Sequence, residues 1–356
     1  MLKNHPTLKH ILGRAGWYFI TFLVAVTINF FLPRLGSANP VDAIMAKQGS
    51  GLDAASAREK EEQFLKEFGL VEVDAQNHVK RGADGKPVKA SLSSQFVKYL
   101  SMSLQGDLGS SILQYPKKVN EIMKTALPWT IALQLPNIIF AFIIGNVLGA
   151  LAAYKRGAFD KVLYPVALLT SAIPAFCFGM LLVYIFGIKL EWFPASGGYD
   201  DGLTPEASFA FFSSAAYYYV LPFLSIFLLV VGSQAIGMRS MCIYELGTDY
   251  VKYAKLLGIK EHKILFYMFR NAMLPQLTGL ALSLGTMVGG ALIAEIVFSY
   301  PGLGLAILTA IQGNDYPVIT GCTLLITVTV LLANFGADVL IGLLDPRVRA
   351  AQGGGK

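Results

Sequence analysis

The hydrophobic positions of this chain fall into six runs separated by polar segments, at residues 17–32, 127–153, 162–187, 220–238, 277–297 and 318–344. Runs of such length and apolarity predict membrane-crossing helices. The first follows a short basic stretch with Lys3, Lys9 and Arg14 and stops at Pro33-Arg34. It reads either as a signal peptide, with Ser37-Ala38 as the cleavage site, or as an uncleaved first helix. It exceeds the usual ~7–15 apolar residues of a signal peptide, and five further runs follow, so the helix is favoured.

Residues 36–126 form the large polar segment. Ser56-Ala57-Arg58-Glu59 has the form of a capping box, and Phe64, Leu65 and Phe68 predict an amphipathic helix that Gly69 ends. Residues 71–90 alternate weakly around the turn signal Asp84-Gly85, which fits a small hairpin or a mobile loop. A helix over 95–104 and an interfacial approach helix over 117–124 complete the segment.

Within the third run, Ser171-Ala172-Ile173-Pro174 predicts a kinked helix. Proline frees backbone groups that a membrane tolerates only beside protein or a wet cavity. A packing kink and a role in a translocation path are both open readings. Trp192 and Tyr217 to Tyr219 suit an interfacial aromatic belt. The fifth run is rich in small residues, among them Ser283, and its Gly285 and Gly289 are spaced for close helix approach. Two carboxylates lie within or at the ends of runs. Glu295 reads as an ion or proton site or as a gate or loop anchor, and Asp338 as a partner of Asn334 one turn away.

Between the fourth and fifth runs, residues 249–275 are polar and basic. Tyr250, Ala254 and Leu257 recur at helical spacing, with Lys252 and Lys255 on other faces. Gly258 stands where a left-handed residue would end that helix, and a second helix runs toward Pro275. The physics alone allows either a basic loop lying on anionic lipid or a docking handle for a protein.

Charge sorts the sides of the membrane. Lys and Arg gather near the N-terminus, at 155–161, at 239–270 and at 347–356, whereas residues 188–216 and 298–317 hold only Lys189. The positive-inside rule then places both termini in the cytoplasm. Composition agrees with a membrane protein: 54% of the 356 residues are hydrophobic and 15% charged, against about a quarter charged in soluble domains. The net charge of +6 flanks apolar runs and does not form a basic face for nucleic acid. Cys177, Cys242 and Cys322 have neither metal-ligand nor disulfide-framework spacing. The sequence contains no phosphate-cradling loop, zinc-binding motif or nucleophile elbow, so no catalytic residue, metal ligand or cofactor site is assigned to this chain.

Residues 249–275 resemble the cytoplasmic coupling loop of ATP-binding-cassette importer permeases, and most closely that of the oligopeptide/dipeptide/nickel branch. The matching residues are Asp249-Tyr250-Val251, Ala254, Gly258 and Arg270-Asn271-Ala272-Met273-Leu274-Pro275. Lys252-Tyr253-Ala254 departs from the wider family's Glu-Ala-Ala opening. The stretches 105–111, 191–197, 295–304, 315–317 and 344–349 are also similar to family motifs, while 71–90 has the look of an insertion. The resemblance implies that Asp249, Tyr250, Ala254, Leu257 and Gly258 couple the chain to an ATPase. Ser171, Pro174, Ser283 and Glu295 are the candidates for a pathway or gate, and the similarity of 295–304 to a family motif favours a gate or loop anchor for Glu295.

The expected fold is therefore all-α and integral to the membrane. It has six transmembrane helices, a cytoplasmic coupling-helix loop and a large extracytoplasmic segment between helices 1 and 2. The divisions are a stub and first helix at 1–35, the extracytoplasmic segment at 36–126, a permease core at 127–345 with its coupling loop at 245–275, and a cytoplasmic tail at 346–356. The resemblance implies an ATP-driven importer of the cell membrane carrying oligopeptides or dipeptides, with oligosaccharide or nickel as alternatives. Its expected partners are a second homologous permease, two ATPase subunits that bind ATP and Mg, an extracytoplasmic substrate-binding protein, and the lipid bilayer. The rival class is a proton-coupled secondary transporter working through Glu295.

Overall fold

The computed structural model describes residues 6–35, 41, 45, 53–74, 78–82, 85 and 87–344. The expected ending at 344–349 lies outside these residues beyond Leu344, as do the tail at 346–356, Ser37-Ala38, Lys3 and Asp84 of the turn signal.

The described chain is helical, in keeping with an all-α membrane protein. Its helices are α1 (Pro6–Arg34), α2 (Ala54–Glu67), α3 (Leu92–Leu104), α4 (Val119–Lys155), α5 (Ala158–Ala172), α6 (Ala175–Leu182), α7 (Phe209–Leu246), α8 (Asp249–Leu256), α9 (Glu261–Gly290), α10 (Leu292–Val297), α11 (Leu303–Gln312) and α12 (Tyr316–Leu344). Among the described residues, five stretches are long and apolar enough to cross a membrane: Leu12–Arg34, Val119–Lys155, Phe209–Leu246, Glu261–Val297 and Tyr316–Gly336. The pair α5 and α6, the latter extended by a π-helical segment to Lys189, makes a sixth if counted as one span.

Four expectations are corrected. The third run is not one kinked helix but two, bent by 99° at Ile173-Pro174. Pro174 disfavours helical geometry at the residue before it, and Ile173 is extended (φ −79°, ψ 128°). The approach helix at 117–124 is not separate: α4 is continuous from Val119 through Pro128 and Pro136. Likewise, α9 does not stop at Pro275 but carries it into the fifth span. The capping box at Ser56 does not form, because α2 begins earlier with Asp53 as its N-cap. Gly69 does follow α2 in a left-handed conformation (φ +65°).

The described residues divide into two compact units. One comprises the described parts of Met1–Tyr18, Pro128–Leu305 and Thr329–Lys356. Its core joins Leu133, Leu182, Leu221, Ala291, Phe298 and Tyr300. Gly285 of α9 packs on α12 so closely that a Cβ there would collide with Ala333. That close approach is the use expected of a small residue in a membrane helix. Asp160 at the start of α5 grips Arg239 of α7 with both oxygens, at 2.5 and 2.8 Å, and the guanidinium lies 4.4 Å from the Tyr164 ring centroid.

The other unit comprises the described parts of Phe19–Leu127 and Ala306–Val328. Phe30 is fully buried and meets the rings of Phe31, Phe96 and Tyr99 at 5.2–5.3 Å. Phe64 of α2 packs with Val41 and Ile112. In the 71–90 segment three extended pieces bond in turn. Glu72 N donates to Val88 O, Lys80 N to Glu72 O and Val88 N to Lys80 O, at 2.8–2.9 Å. Of the two readings of that segment, paired backbone is the one seen in its described residues. The helix predicted at 95–104 begins at Leu92, capped by the Ser91 hydroxyl, which accepts from Ser94 N.

Candidate functional site

The polar stretch between the fourth and fifth spans builds a short helix held at both ends. Gly247 and Thr248 separate α8 from α7, and Thr248 is the N-cap in extended geometry. Asp249 in the first turn and Lys255 in the last complement the helix dipole. At the other end, Gly258 takes φ +67°. Gly258 N donates to Lys255 O at 3.0 Å and Ile259 N to Ala254 O at 3.1 Å. These two bonds form the Schellman closure that a left-handed glycine permits.

The two sides of α8 differ. Val251 and Ala254 are buried and pack on Ile264 of α9, flanked by Leu246, Tyr250 and Ile259. Tyr253, Leu256 and Leu257 point away and are 66%, 81% and 78% exposed. This corrects the expected apolar stripe: Leu257, past the helix's last residue at the C-cap, leaves the Tyr250–Ala254 face, and Val251 takes the inner place. Lys252 pairs with Asp249 at 2.9 Å on the exposed surface.

A carboxylate that the sequence reading did not single out ties this helix to its neighbours. Glu245, one residue before the end of α7, accepts from the Tyr250 hydroxyl at 2.6 Å and from Asn271 Nδ2 of α9 at 3.5 Å. The Tyr250 hydroxyl is held above its ordinary pKa, first by burial and then by that bond to Glu245. Spacing alone offered a hint, since Glu245 and Tyr250 are five residues apart. Asn271, however, joins them only when α9 folds back.

The pathway candidates are not assembled into one site by any described contact. Ser171 is exposed at the end of α5, its hydroxyl bonded to Leu168 O at 2.9 Å. Pro174 is exposed at the bend, and Ser283 is exposed on α9. Glu295, by contrast, is 0% exposed. Its Oε2 accepts from Gly304 N at 2.5 Å, and its main-chain oxygen accepts from Tyr300 N at 2.8 Å. Thr130 Oγ1 of α4 receives the neighbouring Leu303 N at 2.9 Å. Glu295 thus sits inside the 299–304 loop, against which Gly302 and Gly304 leave no room for a Cβ.

Asp338 does not pair with Asn334 as expected. It accepts from Arg14 Nη1 at 3.0 Å and from the Tyr18 hydroxyl at 2.9 Å. A guanidinium on another helix offers charge that an amide one turn away does not. Asp315 is a second carboxylate whose partners only the fold reveals. Buried at the start of α12, it accepts from the Ser111 hydroxyl at 2.5 Å and Leu113 N at 3.0 Å. Two separate stretches with family-like patterns, 105–111 and 315–317, are therefore one structural unit. Cys242 and Cys322 are buried and Cys177 is exposed, all as free thiols.

Comparison with known proteins bears on the whole chain. The model of the family described as "Binding-protein-dependent transport system inner membrane component" matches residues 145–350. The Di/tripeptide transport system permease protein DppB of Pseudomonas aeruginosa (strain UCBPP-PA14) is 31% identical, over 96% of this chain and 99% of its own. The Oligopeptide transport system permease protein AppB of Bacillus subtilis (strain 168) is 30% identical, over 92% and 96%. The Dipeptide transport system permease protein DppB of Escherichia coli (strain K12) is 29% identical, over 96% and 99%. With helices fit to cross a membrane throughout and a family match over more than half its length, this chain belongs to the binding-protein-dependent transport system inner membrane components, as a multi-pass permease subunit.

Proposed function

We propose that this chain is one of two related permeases in an ATP-driven importer of dipeptides or oligopeptides. The observation that carries the coupling part is the two-sided helix α8. Its inner face is packed on α9 and latched through Tyr250 to the end of α7, while Tyr253, Leu256 and Leu257 are left bare. Exposed apolar groups at a polar surface mark a docking site, and the occupant argued for is an ATPase subunit. ATP and Mg then belong to two such subunits, and a binding protein outside delivers the substrate. The positive charges of 239–270 support a cytoplasmic α8, on the same side as both termini. Peptide is the substrate named for relatives that match the chain over nearly its whole length.

In this reading, movement of the ATPases pulls α8. The Glu245 carboxylate, gripped from both α8 and α9, passes that pull to the fourth and fifth spans together. The test is dipeptide uptake into proteoliposomes holding the assembled complex and binding protein, with the proton gradient collapsed. Uptake that needs ATP and continues without the gradient supports the proposal. Uptake that follows the gradient and ignores ATP overturns it in favour of a secondary transporter.

A further inference from the structure

The unit containing α2 and α3 holds a cavity of about 250 Å³ that the coupling machinery does not use. One face of α3 lines it with Gln95, Lys98, Tyr99 and Met102, the i, i+3, i+4, i+7 spacing of a single helical stripe. Arg34, the last residue of α1, lines it as well, with Phe68 at the end of α2.

The charges in its wall are unequally satisfied. Lys118 lies 3.5 Å from Asp107, and Glu67 accepts from the Tyr115 hydroxyl at 2.9 Å. Arg34 donates to its own helix at Phe30 O and lies over the Phe30 ring. Among the described residues, neither Arg34 nor Lys98 has a carboxylate within salt-bridge distance. Lys98 extends over Gly69, whose missing Cβ leaves the room for it. The wall therefore offers two cations free of carboxylates, beside two carboxylates that each keep acceptor capacity.

We propose that this cavity binds a small zwitterion of amino-acid to dipeptide size. Its carboxylate would lie at Lys98 and Arg34, its ammonium toward Asp107 and Glu67, and its side chain against Phe68 and Met102. A phosphate or another simple anion would bring its charge beside the same two carboxylates, which disfavours it. The volume lies just below the ~300 Å³ at which drug-sized ligand pockets begin, so it suits a short substrate and not a long peptide. The proposal rests on the peptide-import reading for its ligand class and adds a contact site for peptide on the permease itself.

The experiment measures binding of dialanine to the purified full chain in nanodiscs, by calorimetry. The other ligands are the same peptide with both termini capped and inorganic phosphate. Wild type binds dialanine, the capped peptide binds at least about tenfold more weakly, and phosphate does not compete; removal of one charged hydrogen bond accounts for a factor of that order. Lys98→Gln and Asp107→Asn each weaken dialanine binding by about tenfold. Absence of dialanine binding, equal binding of the capped peptide, or competition by phosphate overturns the proposal. So does unchanged affinity in both variants. ATP-dependent dialanine uptake by the assembled complex is measured in parallel. Uptake without binding to the isolated permease overturns the cavity and leaves the importer reading intact. Binding without uptake does the reverse.

Discussion

The phenol of Tyr250 donates to the carboxylate of Glu245 at 2.6 Å, so the short helix α8 is tied to the end of the spanning helix α7. Asn271 of α9 reaches the same oxygen at 3.5 Å. Removing the hydroxyl in Tyr250→Phe keeps the ring packing and loses the bond, at a cost of about 1 kcal/mol. The expected result is a several-fold fall in peptide uptake per ATP hydrolysed, with complex assembly retained. The ratio of uptake to hydrolysis in proteoliposomes measures it, and an unchanged ratio counts against a coupling role for the bond.

The same bond has a pH signature. Burial and Glu245 raise the hydroxyl above its usual value near 10. A group whose protonated form is favoured by the fold contributes its stability below the unfolded pKa and loses it as pH rises through the folded one. Wild type should therefore lose thermal stability above pH 10 by an increment that Tyr250→Phe lacks, and the two should run parallel at neutral pH. Melting curves across that range decide it.

Gly258 holds φ +67° with open space around it. A β-branched residue there clashes with its own backbone, at about 1–3 kcal/mol. Gly258→Val should uncouple hydrolysis from uptake, while Gly258→Asn, which tolerates left-handed geometry, should retain most of both. Undiminished uptake in the valine variant would show that the turn is dispensable.

The two faces of α8 should respond differently to charge. Leu256→Asp with Leu257→Asp places carboxylates on exposed positions and should leave the melting temperature within a degree or two while ATPase subunits cease to co-purify. Val251→Asp puts a charge at a buried position and should destabilise the chain by on the order of 3 kcal/mol. Intact assembly in the double variant would move the docking surface elsewhere.

Glycines in one chain should differ in cost according to their surroundings. A Cβ at Gly304 would lie 2.7 Å from the Leu292 backbone, whereas one at Gly336 meets nothing within 4 Å. Gly304→Ala should lower the melting temperature by several degrees. Gly336→Ala, within α12, should leave it unchanged or raised. Equal effects would mean that the 299–304 loop is free to move away from Glu295.

By itself the sequence determined where the apolar stretches suited to a membrane lie, because a span of about 20 apolar residues satisfies its backbone internally and needs no distant partner, but not that the third is broken into two helices at Ile173-Pro174. It also determined the short helix α8 and its glycine stop, since capping is a local matter of a few residues. Tertiary structure decided whatever depends on groups far apart in the chain. Asp315 meets Ser111 across 204 positions and Asp338 meets Arg14 across 324. No periodicity encodes such distances, and the pattern alone pairs Asp338 with the neighbour within reach on its own helix. Tertiary packing also decided which side of α8 is buried, turning Val251 inward and Leu257 outward. On a helix of two turns, an apolar pattern fits more than one face, and the surface of α9 makes the choice. Glu295 shows the same division: a carboxylate in an apolar run was visible as costly, but its enclosure by the 299–304 loop came only from the folded chain.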